Sequence, residues 1–206
     1  MDTPRQPGDH STMVDTKGMT IAEPAPRLFT VDEFDKMTAA DVFADDERVE
    51  LVEGVLVSYA PPQGDEHAGV VWHLPEAIRA RLGVRAALWL QSPLIIGPMT
   101  VLEPDLSILR TRSGGYRHQR PAAADVHAVV EIAVSSLARD RSEKLRLYAE
   151  AAIPEYWIVD VVGLRIETFR RPAGSAYSAQ RTVSGGESIA FEAFPDVVFT
   201  VDELLG

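Results

Sequence analysis

Apolar positions change their period several times along this chain, and each change marks an element. Between Val126 and Asp160 (VHAVVEIAVSSLARDRSEKLRLYAEAAIPEYWIVD) a continuous apolar run, a helical stripe and a second apolar run follow one another. That order predicts a buried strand, a helix and another buried strand, because a strand covered on both faces loses the alternation of a half-exposed one. Asp140 and Glu143 are spaced as a capping box for a helix from Arg141 to about Ala152, with Leu145, Tyr148 and Ala152 as its buried stripe. Pro154 stops that helix, and Glu155 to Asp160 returns as the second strand.

Upstream, Thr30 and Glu33 form another capping box, for a short helix through about Met37 with Phe34 inward. Arg48 to Tyr59 reads as two strands about a tight turn at Glu53 and Gly54. Glu66 to Leu82 reads as a helix burying Val70, Val71, Leu74, Ile78 and Leu82, and Pro75 should kink or shorten it. Ala86–Gln91, Leu94–Ile96 and Asp105–Leu109 read as strands; the last is entered through Pro104, which holds its predecessor extended. Alternation puts Asp105, Ser107 and Leu109 on one face of that strand. Downstream, Leu164–Arg170, Tyr177–Thr182 and Ser188–Phe191 suggest hairpins, and Asp202–Leu205 a terminal turn. A strand–helix–strand centre between hairpins implies an α/β fold on a mixed sheet, in one layer flanked by helices. Residues 1–26 are polar and aperiodic, which predicts a disordered tail ahead of a single domain over 27–206.

Composition narrows the chemistry. With 206 residues, 46% of them hydrophobic, the chain can bury one sizeable core without staples. It has no cysteine, so disulfides and thiolate zinc sites are excluded, and a metal must be held by carboxylates, carbonyls, histidine or water. No secretory segment and no apolar run of membrane-spanning length is apparent, so a soluble, cytoplasmic protein with no membrane partner is expected. A net charge of -11 argues against a surface that attracts nucleic acid generally. Leu106 to Ala124, however, contains no acidic residue and carries Arg110, Arg112, Arg117, His118 and Arg120. That loop is either ordinary solvated chain or a local phosphate-binding patch.

Glu131 interrupts the most apolar run of the chain. A carboxylate there loses hydration, which is costly unless a buried Arg or Lys, protonation or a metal ion compensates. Asp105 sits at the mouth of the preceding strand. Lys144 falls in the opening turn of the following helix, where a cation opposes the helix dipole. It either pairs with Asp140 at i,i+4 on the surface or leans back toward Glu131. If the strands of Asp105 and Glu131 are neighbours, their carboxylates can share one hard divalent cation, most simply Mg2+ (or Mn2+), with the Ile132 backbone carbonyl as a further ligand. Such a site can polarise a phosphodiester oxygen and acidify bound water, with Lys144 orienting the water or stabilising transition-state charge. Glu50, within the first strand, reads locally as a solvent-facing residue.

Three segments carry a resemblance: RVELVEGVLV, EPDLSIL and VVEIAVSSLARDRSEKLRLYAEAAIPEYWIVD. Over about Phe29 to Leu205 the chain resembles the bacterial Uma-two group of restriction endonucleases, within the PD-(D/E)XK nuclease superfamily. The resemblance implies a restriction-endonuclease-like core and a Mg2+- or Mn2+-dependent endonuclease acting on DNA. It implies Asp105 and Glu131 as metal-binding acids, and Lys144 as the catalytic lysine. That lysine is displaced from its usual place, here Ala133, onto the next helix. It implies Glu50 as an additional acid near metal or water. His67, Asp140 and Tyr148 match recurrent positions without assigned chemistry, and Val134 departs from the acid or serine of many relatives. A homodimer would suit two cuts on antiparallel strands. Two other classes stay open: a nuclease fold used only for binding, and a metal-dependent phosphodiesterase for a smaller substrate.

Overall fold

The structure, a computed structural model, describes residues 25–44, 47–59 and 65–206, with the side chains of 65–68 excepted. Most of the predicted tail, residues 1–24, lies outside the described residues, as do the loop at 60–64 and the His67 side chain.

Thr30 caps α1 (Val31–Ala39) as expected: its Oγ1 accepts from the Glu33 N–H, and the Glu33 carboxylate accepts from the Thr30 N–H. Val31 and Phe34 of α1 pack on Val49, Leu51 and Val101. β1 (Arg48–Val52) and β2 (Val55–Tyr59) form the predicted hairpin. Its turn places both Glu53 and Gly54 at positive φ, as the twist of a tight hairpin requires. Gly54 has a second reason to lack a side chain, since a Cβ there would sit 2.6 Å from Met99 Cε.

The remaining strands are β3 (Ala87–Leu90), β4 (Leu94–Gly97), β5 (Thr100–Leu102), β6 (Leu106–Leu109), β7 (Val126–Ala133), β8 (Glu155–Asp160), β9 (Arg165–Ala173), β10 (Ala176–Ser184), β11 (Ser188–Ile189) and β12 (Phe199–Thr200). They build two larger sheets rather than the single layer expected: a four-stranded β2-β1-β5-β4 and a six-stranded β10-β9-β8-β7-β6-β3, with β11 and β12 paired separately. The difference arises at β5, a three-residue strand that alternation could not separate from β6. The chain crosses between the sheets through Glu103, Pro104 and Asp105. β7 and β8 pair in parallel, as a strand–helix–strand unit requires.

One face of the six-stranded sheet (Leu106, Ile108, Val130, Ile132) packs on Val70, Leu74, Ile78 and Leu82 of α2 (Asp65–Leu82). Pro75 is buried inside α2 and does not shorten it. The other face meets Leu94 and Leu102 of the smaller sheet, and Leu147 and Tyr148 of the central helix. That helix differs from expectation. It begins at α3 (Leu137–Arg139), widens into a π-helical turn over Asp140–Lys144 and continues as α4 (Leu145–Glu150). Asp140 is therefore inside the helix, not its cap. α4 buries Leu147, Tyr148 and Ala149 with Leu145 half-buried, and it ends at Glu150, so Ala152 lies beyond the helix, exposed at φ 55°. α5 (Val201–Leu205) closes the chain through a second Thr–Glu capping box at Thr200 and Glu203.

Two predictions arise from this packing. The Ser107 hydroxyl is fully buried and has no hydrogen-bond partner among the described residues. Ser107→Ala should therefore raise stability in urea unfolding by about 1 kcal/mol, since an unsatisfied buried hydroxyl carries its desolvation cost unreturned. Secondly, burial pushes all five tyrosines above the ordinary phenol range, Tyr59 to about 12. The folded state then holds these protons more tightly than the unfolded chain. That contribution to stability is complete below about pH 10 and is lost as pH rises through about 12. Native protein at about pH 10 should show little phenolate absorbance, whereas protein unfolded in urea should show roughly half of the full signal.

Candidate active site

The β6–β7 register pairs Leu106 with Val130, so the next position outward sets Asp105 opposite Glu131. Residues directly opposite in an antiparallel pair share a face, with Cβ atoms about 4.5–5.5 Å apart. Both are buried, and like charges so placed repel. Part of the answer is Lys144, whose Nζ lies 2.7 Å from Glu131 Oε1. The Tyr148 hydroxyl donates to the same oxygen at 2.7 Å. Burial lifts the Glu131 carboxyl to about 7, with Lys144 drawing it down and Asp105 pushing it up. Burial works against the Lys144 ammonium too, but Glu131, Glu50 and Asp140 outweigh it and raise its pKa, so the lysine stays charged. Of the two placements open to Lys144, the structure selects the one facing Glu131.

Asp105 Oδ2 accepts the Ile132 N–H at 2.8 Å. This bond stands just past the end of the β6–β7 ladder, whose last pair is Leu106 with Val130; the register would set Pro104 opposite Ile132. Proline has no N–H, so the Ile132 carbonyl has no strand donor on that side. The neighbouring Ala133 carbonyl accepts from Val161 on the β8 side at 3.1 Å, and successive carbonyls alternate, so that of Ile132 faces the Asp105 side.

The smaller sheet contributes Glu50, which is buried and not solvent-facing as its local pattern suggested. Its Oε1 accepts the Glu103 N–H at 2.8 Å, and its Oε2 accepts from Arg139 at 3.0 Å. Arg139 also pairs with Glu143 at 2.7 Å, hydrogen-bonds the Tyr59 hydroxyl and stacks 3.9 Å from the Tyr59 ring centroid. Sequence reasoning missed Arg139, because its partners on β1 and β2 are known only once the two sheets are brought together. It treated Tyr148 as core, although a tyrosine four residues beyond Lys144 on one helix face was a usable signal. Glu50, Asp105, Glu131, Lys144, Arg48 and Arg139 are among the residues lining one cleft of about 420 Å³. Two clefts of similar size, about 430 and 540 Å³, lie elsewhere, but their prominent charges are already paired, Arg170 with Glu155 and Arg141 with Glu167.

The basic loop is not part of this cleft. It leaves β6 after Leu109 and enters β7 at Val126, the strand ends remote from Asp105 and Glu131. Four residues of strand separate the ends by roughly 13 Å. Arg112 is held by the Gly115 carbonyl and stacked on Tyr116, and Arg120 is paired with Asp35 of α1. Arg110 and Arg117 remain exposed.

Among the described residues, no three His, Asp or Glu side chains form a ready metal cage. The donors that converge are two carboxylates and a carbonyl. An all-oxygen set of this kind fits a hard cation that keeps several waters, such as Mg2+, better than zinc.

A mixed sheet around one parallel strand pair, with helices against its faces, has the architecture of a restriction-endonuclease-like core. The chain belongs to the Uma2 family (Putative restriction endonuclease), whose model matches residues 31–202. Among solved structures it is similar to a putative nuclease belonging to DUF820 from Anabaena variabilis ATCC 29413. The TM-score is 0.67 at 16% identity, covering 86% of this chain and 97% of that one. Comparison with curated proteins gave no match. The resemblance carried by the three sequence segments is thus borne out. No helix among the described residues is long and apolar enough to cross a membrane.

Proposed function

We propose that this chain is a metal-dependent endonuclease that hydrolyses phosphodiester bonds of DNA in the cleft of Asp105, Glu131 and Lys144. The observation that carries the reading is the position of Lys144, thirteen residues beyond Glu131 in sequence yet 2.7 Å from its carboxylate. A divalent cation, Mg2+ or Mn2+, would be held by Asp105, Glu131 and the Ile132 carbonyl, and would supply Lewis-acid activation of the phosphodiester and a more acidic water. Lys144, kept protonated by its acidic surroundings, stabilises the negative charge that grows on the phosphorus oxygens. Tyr148 and the Ile132 N–H fix the two carboxylates and so spare the reaction their reorganisation. Glu50 is read as the anchor of Arg139 at the cleft wall, and any direct contact to metal would share its carboxylate with Arg139 and the Glu103 N–H.

The test is nicking of supercoiled plasmid with Mg2+ or Mn2+. Cleavage should require the metal and stop with chelator; cleavage that survives chelation would overturn the reading. Hydrolysis of bis(p-nitrophenyl) phosphate without action on DNA would favour a smaller substrate, which the acid-rich cleft also suits. DNA bound equally well with and without metal, and never cut, would favour a binding module. A duplex is longer than the cleft, and Arg110 and Arg117 are exposed, Arg110 with only its Nε tied, to the Ala124 carbonyl at 3.3 Å, so both can meet its backbone. Replacing both with alanine should weaken DNA binding and reduce the salt dependence of log K by up to about 2. A homodimer, which would present two clefts to the two strands, is checked by sedimentation at equilibrium.

A further inference from the structure

We infer that Asp140 is a positioning residue, the second anion of Lys144, which takes up the ammonium when Glu131 turns toward a divalent cation. The inference rests on the metal-dependent reading of the cleft and adds a residue to it.

Asp140 is 1% exposed. Its Oδ2 is fixed by the Ser136 hydroxyl at 2.6 Å, whereas its Oδ1 has no hydrogen-bond partner among the described residues. An unpartnered buried carboxylate oxygen is costly and calls for an explanation. The nearest cation supplies one: Lys144 Nζ stands 4.0 Å from that oxygen, beyond hydrogen-bond reach, and is drawn instead to Glu131 Oε1 at 2.7 Å.

The two anions therefore hold the ammonium unequally in the structure. Glu131 Oε1 already accepts from both Lys144 and Tyr148. A divalent cation on Glu131 competes for that carboxylate and repels the ammonium. Without a second anion, Lys144 would have to leave the cleft or weaken cation binding. Asp140 removes the conflict, because a shift of about 1 Å converts the 4.0 Å separation into a hydrogen bond. The long flexible stem of lysine permits that movement within a fixed backbone. The π-helical turn carries both residues, and it holds Asp140 buried rather than at a solvated helix end.

The experiment is a double-mutant cycle on the Mn2+ dissociation constant of the full chain, measured by titration calorimetry. Asp140→Asn should weaken Mn2+ binding roughly tenfold where Lys144 is present and less than about threefold in the Lys144→Met background. A purely structural role for Asp140 would move both backgrounds equally; equal effects, or none in either, would overturn the inference. If Asp140→Asn folds poorly, crystals of the unaltered protein with and without Mn2+ decide. Lys144 Nζ within about 3 Å of Asp140 Oδ1 in the loaded form supports the inference, and an ammonium still on Glu131 Oε1 overturns it. Mn2+ binding that is abolished by Asp105→Ala but indifferent to Asp140 would sink this inference alone. Absence of Mn2+ binding in the unaltered protein would sink the metal-dependent reading with it.

Discussion

Lys144→Ala should reduce plasmid cleavage by at least about 100-fold, the cost of removing one charge-stabilising group from a transition state. It should also lower the stability of the metal-free protein by about 3–5 kcal/mol, and Mg2+ should restore part of that stability without restoring cleavage. The stability term follows from what remains. Glu131 and Asp105 are 3% and 8% exposed, face one another across β6 and β7, and would be left with Tyr148 as the side-chain donor to Glu131. Breaking a buried pair strands a charge or, since burial already lifts the Glu131 carboxyl to about 7, forces it to take up a proton, and either destabilises the folded state. A bound divalent cation supplies the missing positive charge and stabilises the folded state by mass action. It cannot replace the ammonium at the phosphorus oxygens, so rate and stability separate. Asp105→Asn should show the opposite balance. Cleavage is lost with a ligand, but stability changes little, because the like-charge contact is relieved and the amide oxygen can still accept the Ile132 N–H. Urea unfolding with and without Mg2+, beside the nicking assay, reads both. Cleavage retained in Lys144→Ala would remove the lysine from the mechanism.

The residues that sequence reasoning placed well share a physical property: their meaning is local or depends on one neighbour. The Thr30–Glu33 cap and the Glu53–Gly54 turn are satisfied within a few residues. Glu131 announced itself by breaking an apolar strand, and the demand for a compensating group left Lys144, one element away, with two open placements, of which the structure shows the one 2.7 Å from the carboxylate. The misplacements are also physical. Asp140 and Glu143 have capping-box spacing, but the helix starts earlier and Asp140 is consumed inside a π-helical turn, which no 3.6-residue pattern encodes. Glu50 alternates like a surface residue because its covering partner, Arg139, arrives from 89 residues away. For the arginine loop, composition records the charge of a segment and leaves a phosphate patch and solvated chain equally open. It does not record that Arg112 and Arg120 are engaged internally, or that the loop leaves the sheet at the strand ends away from Asp105 and Glu131.

Arg139→Ala is expected to cost about 2–4 kcal/mol, somewhat below a fully buried pair because a quarter of the Arg139 side chain remains exposed. Glu50, 4% exposed, would keep the Glu103 N–H and lose its cation. Removing both partners should therefore be less damaging than the sum of the single changes, with a coupling of about 1–3 kcal/mol, since Glu50→Ala in the Arg139→Ala background leaves no stranded charge. The same contacts join α3 to the β1–β2 hairpin through Glu50 and Tyr59, whereas Asp105 and Glu131 are placed by the β6–β7 register. Arg139→Ala should accordingly change the Mn2+ dissociation constant by less than about threefold, while DNA affinity falls with the loss of a cleft cation. Additive single changes would mean that the ion pair does not hold this wall. If instead Glu50→Ala abolishes Mn2+ binding and Arg139→Ala does not, Glu50 binds the metal directly, as the family resemblance implies. Arg139 would then be the placeholder for the cation in the apo state.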